Sequence, residues 1–123
     1  MYETAPHGAI CAALLPHAFK MNVEKLLKKQ ESGDKEASVR LARFTDVARI
    51  CTGNSNATVM DGVKWLAALN RDLAIPSLMV LCEGMKIDDI PTIVKGTAEA
   101  SSTKGNPIVL TDSELEELLR LAM

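Results

Sequence analysis

Apolar residues recur every three or four positions through most of this chain, which is the spacing of α-helices that bury one face. The pattern is clearest from about Asp34 to Cys51, where Leu41, Phe44, Ala48 and Cys51 form one apolar stripe. Strand-like alternation never continues beyond about five residues. The sequence therefore predicts an all-α fold of five to seven helices.

Two further helices are predicted in the middle of the chain. One begins near Ala57 and is stopped by Pro76, and its apolar positions share one side: Val59, Val63, Leu66 and Leu73. The next begins at Pro91, because proline suits the first helical turn, and directs Ile93, Val94 and Ala98 inward. Two aspartates at positions 88 and 89 stand just before it, opposite the positive end of its dipole.

The last helix carries a capping signature. Thr111 places a hydroxyl at the cap and Glu114 places a carboxylate three residues later, so each satisfies an amide donor of the other. The apolar face of the helix follows at helical spacing: Leu115, Leu118, Leu119 and Ala122.

The N-terminal region is apolar almost all round from residue 8 to residue 21, which predicts a helix buried on most sides. Pro16 is expected to bend or break this helix, because proline lacks the amide hydrogen and clashes with the preceding turn. Between residues 22 and 34, a short basic stretch predicts a separate, brief, solvated helix.

Length and charge narrow the function classes. The chain has 123 residues, which predicts one domain spanning 1–123. Lys and Arg number 14 against 16 Asp and Glu, so there is no basic excess for a nucleic-acid partner. The longest uncharged stretch, residues 4–19, is interrupted by prolines and falls short of the roughly 20 apolar residues of a membrane span. No basic residue precedes it as in a secretory signal, so we expect a cytoplasmic protein.

Residue chemistry alone predicts no active site. Cys11, Cys51 and Cys82 are widely separated in apolar or helical surroundings and are expected to be reduced thiols in the core. His7 and His17 are ten residues apart across a proline, so they cannot clamp a metal from one helix face. No His–Cys pair and no glycine-rich phosphate loop is evident. From the residues alone, the chain is a helical domain.

Several ordered motifs resemble the iron-containing alcohol dehydrogenase family. Residues 5–17, A-P-H-G-A-I-C-A-A-L-L-P-H, resemble a family signature in which Pro-His-Gly opens a helix that ends in Leu-Pro-His. The match continues in the family's order along the whole chain, through L-A at 41–42, the L-x-x-D-x-G-I-P-like turn at 69–76, D-D-I-P at 88–91 and G-N-P at 105–107. Two positions depart from the pattern, with Ala74 in place of a usual glycine and Ile108 in place of a usual arginine.

The resemblance implies a fold and a metal ligand. The fold would be a helical bundle like the C-terminal domain of the dehydroquinate synthase-like, iron-containing alcohol dehydrogenase fold. In that family, an N-terminal α/β domain binds NAD(P), and one aspartate and three histidines hold a divalent metal, iron or zinc. His7 aligns with the last histidine, and the other three ligands precede the Pro-His-Gly motif in the family. We therefore expect no tight binding of metal or NAD(P) by this chain alone.

The implied function is the C-terminal part of a metal-dependent, NAD(P)-linked oxidoreductase of alcohols and aldehydes, inactive as this chain alone. The alternative is a non-catalytic helical module for association or regulation. His17, Ser102 and Asn106 are weaker candidates for the wall of the cleft, and a hydrogen-bonded core histidine and ordinary loop residues explain them as well. The expected partners are a second copy, through the helix at residues 8–21, or the N-terminal domain, and neither a nucleic acid nor a membrane is expected.

Overall fold

The computed structural model describes residues 5–123, and within this range it contains six α-helices and no strand. The helices are α1 (His7–Glu31), α2 (Lys35–Thr52), α3 (Val59–Asp72), α4 (Leu78–Leu81), α5 (Ile90–Glu99) and α6 (Asp112–Ala122). Short 3₁₀ turns at Ile87–Asp89 and Thr103–Gly105 precede and follow α5. The predicted all-α fold class is confirmed.

None of the helices in the described range has the length and apolar content that crossing a bilayer requires.

The described residues form two compact units. One contains residues 5–17 together with Ile75–Met123, and the other contains Ala18–Ala74. We call these the first and second unit. The boundary between the two units falls after His17, within α1. The first part of this helix therefore belongs to the first unit and the remainder to the second. The expectation of one domain spanning 1–123 stays a prediction.

α1 is a single helix of 25 residues that continues through Pro16. The expected break there and the separate solvated helix at 22–34 are therefore wrong. Interior proline costs about 3 kcal/mol. Val23 and Leu26 are 0% and 1% exposed, and burying such side chains stabilises by about 1.5–3 kcal/mol each, enough to offset the proline. The basic residues of this stretch lie on the opposite, solvated side of the same helix.

The second unit is built on close contact between α2 and α3. One cluster of its core contains the buried residues Phe19, Val23, Val63 and Leu66. The ring of Phe44 meets that of Phe19 edge-on, with centroids 4.9 Å apart. Gly62 of α3 lies directly against Ala48 of α2, since a Cβ at position 62 would come within 2.8 Å of the Ala48 Cβ. The small residue at this position sets the spacing of the two helices.

The ends of α2 agree with the sequence prediction. The Asp34 carboxylate accepts hydrogen bonds from the amides of Glu36 and Ala37, at 2.9 and 3.1 Å. At the other end, Gly53 adopts a left-handed conformation with φ of 67°. Both devices satisfy backbone groups that a helix terminus leaves without partners.

α3 begins at a reciprocal cap. The amide of Thr58 donates to Asp61 Oδ2 at 2.8 Å, and the amide of Asp61 donates to Thr58 Oγ1 at 3.3 Å. The Thr58 amide stabilises the ionised carboxylate and lowers the pKa of Asp61 from its usual 3.8. The prediction that Leu73 shares one side of this helix with Val63 and Leu66 is wrong: α3 ends at Asp72, and Leu73 is 62% exposed beyond it.

In the first unit, α5 and α6 bury a core of Ile90, Val94 and Leu115. Pro91 lies in the first turn of α5, and Thr111 and Glu114 form the predicted capping box of α6. Ala98 is exposed, contrary to the prediction. At 100° per residue, the position in line with Ile90 two turns later is 97 rather than 98, and the half-buried Thr97 takes it.

Ala74 is the one residue other than glycine with positive φ in the described chain, at 51°. Left-handed backbone brings Cβ too close to the carbonyl oxygen and costs roughly 1–2 kcal/mol. This is the position at which the sequence departs from the glycine of the motif. We expect Ala74→Gly to raise the free energy of unfolding by about 1 kcal/mol, measured by urea denaturation.

Ala67→Gly is the matched control for this substitution. Ala67 is exposed within α3, where the backbone is helical, so glycine there is expected to lower stability by about 0.5–1 kcal/mol. Equal effects of the two substitutions would contradict the argument from φ.

Candidate functional site

The candidate site begins at the first residue of α1. His7 is exposed and directly follows Pro6, whose carbonyl accepts the Ile10 amide at 3.1 Å in the first bond of the helix. Among the described residues outside this turn of the helix, no atom lies within 4 Å of where a Cβ of Gly8 would stand. His7 is therefore held on regular backbone with its ring accessible.

Cys11 lies one helical turn after His7, and its Sγ is 3.5 Å from the His7 Nε2. This corrects two predictions, that no His–Cys pair exists and that all three thiols lie in the core. Cys82 is buried and Cys51 is half-buried, but Cys11 is exposed. A spacing of four residues brings both side chains to the same side of the helix. Both side chains are exposed there.

An apolar groove of about 460 Å³ lies in the first unit, beside this turn of α1. α1 contributes Ile10 and Leu14, which lie three and seven positions after His7 and so share its side of the helix. The other lining residues come from α4, α5, α6 and the chain after α4: Leu78, Cys82, Met85, Thr92, Ile93, Val94, Gly96, Thr97, Leu115, Leu118 and Leu119.

The lining of the groove offers little polar chemistry. The Thr97 hydroxyl is already used, since it donates to the Ile93 carbonyl at 2.8 Å within α5. The Cys82 thiol is buried among apolar side chains. Such a surface suits hydrocarbon or an apolar partner rather than an anion. Among the described residues in the first two turns of α1, the groups able to bind a metal are the His7 imidazole and the Cys11 thiol.

The weaker candidates lie apart from the groove lining. His17 is half-buried, and Ser102 is exposed just before the turn Thr103–Gly105. Asn106 donates from Nδ2 to the Ile108 carbonyl at 2.6 Å, which closes the loop in front of α6. The side chain of Ile108 is 4% exposed, so the position that usually holds arginine in the motif is here part of the apolar interior.

The described residues supply only part of a metal site. In the range 5–123, no three side chains of the His, Cys, Asp and Glu types are grouped so as to hold an ion. A catalytic zinc site typically uses three protein ligands and leaves one position open. His7 thus fits the role of one ligand and needs further ligands from elsewhere. The same range contains no strand, so it holds no strand–turn–helix unit of the kind that binds a dinucleotide in doubly wound folds.

Sequence reasoning found His7 through its motif and missed Cys11. The signal for Cys11 was the four-residue interval itself, which places two side chains on one side of a helix that starts at His7. The surrounding alanine, isoleucine and leucine residues made the whole segment look buried.

Comparison with known proteins gives one family. The sequence model of the family described as "Fe-containing alcohol dehydrogenase family, C-terminal" matches residues 2–123 of this chain. Lactaldehyde reductase from Escherichia coli strain K12 is 27% identical over 126 residues, which cover 98% of this chain and 29% of that protein. Its counterpart from Escherichia coli O157:H7 matches to the same extent. The chain thus spans less than a third of the length of these relatives, and no solved structure matches it.

Proposed function

Because this chain belongs to the Fe-containing alcohol dehydrogenase family, we propose that it acts as the C-terminal part of a metal-dependent, NAD(P)-linked oxidoreductase of alcohols and aldehydes. The observation that carries the proposal is the exposed imidazole of His7 at the start of α1, a helix whose residues Ile10 and Leu14 line an apolar groove. The relatives are named for lactaldehyde reduction, so a short-chain aldehyde is the proposed substrate class.

In this role, His7 supplies one nitrogen ligand. A divalent metal, when bound, acts as a Lewis acid on the substrate oxygen. Pro6 precedes His7 and its carbonyl accepts the Ile10 amide, so the backbone of His7 is held in the first turn of α1. The groove that Ile10 and Leu14 of the same helix help to line can accept the hydrocarbon part of a substrate.

The complete site requires residues outside this chain. A single imidazole leaves most of the coordination shell to water, so the isolated chain holds a catalytic metal weakly. The hydride carrier also requires a nucleotide-binding domain, which the relatives have room for in the remaining part of their length. We therefore propose that the 123-residue chain is inactive alone and acts together with such a domain.

The test is a chimera in which this chain replaces the matched segment of Escherichia coli lactaldehyde reductase. With Fe²⁺ or Zn²⁺, NAD(P)H and lactaldehyde, the chimera is expected to oxidise the nicotinamide, whereas the isolated chain is not. His7→Ala in the chimera should lower kcat/KM at least about 100-fold, since even losing a group behind a metal ligand costs ~10–100-fold.

Lys28→Ala serves as the control for the chimera, because Lys28 is exposed on the same helix and is not among the residues that line the groove. It should leave kcat/KM unchanged. Full activity of the His7→Ala chimera, or nicotinamide oxidation by the isolated chain, would contradict the proposal.

The second candidate is a non-catalytic association or regulatory module. Exposed apolar side chains on α2 favour it, since Val39, Val47 and Ile50 are 64%, 42% and 79% exposed. The proposed second copy, docked through residues 8–21 of α1, belongs to this candidate. A folded but inactive chimera, together with a dimer of the isolated chain in light scattering, would support the module over the oxidoreductase.

A further inference from the structure

We propose that His7 and Cys11 form a two-ligand chelate for a borderline-soft divalent cation of the Zn²⁺ class. Both ligands come from this chain. Cys11 is not one of the metal ligands that the family resemblance implies. The inference shares His7 with the proposed function but does not rest on it, because it needs no nucleotide domain and no substrate.

The distance between the two donor atoms fits the chelate. Zn²⁺ bonds to sulfur at about 2.3 Å and to imidazole nitrogen at about 2.0–2.1 Å, and a tetrahedral angle between these bonds separates the two atoms by roughly 3.6 Å. The observed separation of Sγ and Nε2 is 3.5 Å. At this separation the two groups are within hydrogen-bond distance of each other, and a bound ion would replace that contact.

The surroundings leave the ion accessible. Both side chains are exposed, and the first turn of α1 carries no acidic residue that would compete for either group. The positive end of the helix dipole opposes a bare cation at this place. The negative charge of a thiolate ligand offsets that repulsion, which makes Cys11 the deciding ligand.

Binding forms one metal–sulfur and one metal–nitrogen bond in place of two metal–water bonds, and the thiol proton passes to the solvent. Water completes the coordination shell. With half the protein ligands of a closed structural zinc site, the chelate is expected to bind in the micromolar range or weaker. Thiolate selects Zn²⁺, Co²⁺ or Cd²⁺ over Mg²⁺, which prefers oxygen ligands.

The test is titration of the isolated chain with Co²⁺ under anaerobic conditions and without added thiols. We expect a near-ultraviolet thiolate-to-cobalt charge-transfer band that Zn²⁺ displaces and Mg²⁺ does not. Cys11→Ser should abolish the band, and His7→Ala should weaken cobalt binding at least about tenfold. Cys51→Ser, which removes a half-buried thiol, should leave the band intact.

A second readout uses the thiol directly. Zn²⁺ should slow the reaction of Cys11 with a disulfide reagent about tenfold or more, because a metal-bound sulfur is not free to attack. No band in the unmodified chain, a band that survives Cys11→Ser, or cobalt binding unaffected by His7→Ala would overturn the proposal. Each of these results leaves the activity of the chimera untouched, so the two proposals fail separately.

Discussion

Replacing Ile90 with alanine is expected to lower the free energy of unfolding by about 2–5 kcal/mol. Ile90 is 0% exposed at the start of α5, and with Val94 and Leu115 it forms the core between α5 and α6. Removing its outer carbons takes away buried apolar surface and leaves a cavity that neighbouring helices fill only in part. The groove in this unit is lined by Val94 and Leu115, so its shape should change as well.

The measurement is urea denaturation followed by circular dichroism, with Ile87→Ala as the control. Ile87 lies three residues earlier and is 54% exposed. The substitution Ile87→Ala removes the same side-chain volume as Ile90→Ala. Its replacement should change stability by no more than about 0.5 kcal/mol. Similar losses in the two variants would mean that burial at position 90 is not what stabilises α5.

Alanine at position 62 is expected to destabilise the protein by about 1–3 kcal/mol, even though alanine favours helices over glycine. The added Cβ would lie 2.8 Å from the Ala48 Cβ and 3.2 Å from the Ala48 Cα. The second of these atoms belongs to the backbone of α2, so the helices must move apart rather than a side chain rotate. That movement loosens the packing around Phe19.

Gly96→Ala provides a control of opposite sign. Gly96 lies within α5 and has no atom within 4 Å of the Cβ position, so the substitution gains helix propensity without overlap. It is expected to raise stability by up to about 1 kcal/mol. If Gly62→Ala also stabilised the chain, the close approach of α2 and α3 would not be a constraint.

The helix ends were predictable because their signals are local. Asp34 and Gly53 at the two ends of α2, and Thr111 with Glu114 at the start of α6, act within four residues of where they stand. The effect of Pro16 was predicted wrongly. The energetic cost of proline within a helix is local and can be recognised in the sequence, whereas the burial of Val23 and Leu26 that offsets this cost depends on residues far away in the chain.

For a related reason, only one of the two residues of the candidate site could be predicted from the sequence. His7 belongs to a motif that can be read in the sequence, but the segment after it is apolar on every side. Such a pattern does not say which side of the helix is covered. Cys11 is exposed and Ala13 is buried, although both lie among small apolar residues. Only the folded arrangement distinguishes them.

Trp65 is the single tryptophan of the chain, and it packs against the core of the second unit. Its indole emission therefore reports on one region, whereas circular dichroism at helical wavelengths sums over every helix. Gly62→Ala should shift the fluorescence transition directly, since its overlap arises in the same unit as the indole. For Ile90→Ala, a fluorescence midpoint that moves together with the dichroism midpoint would show that both units lose their structure in a single step, and a stationary one would show two steps.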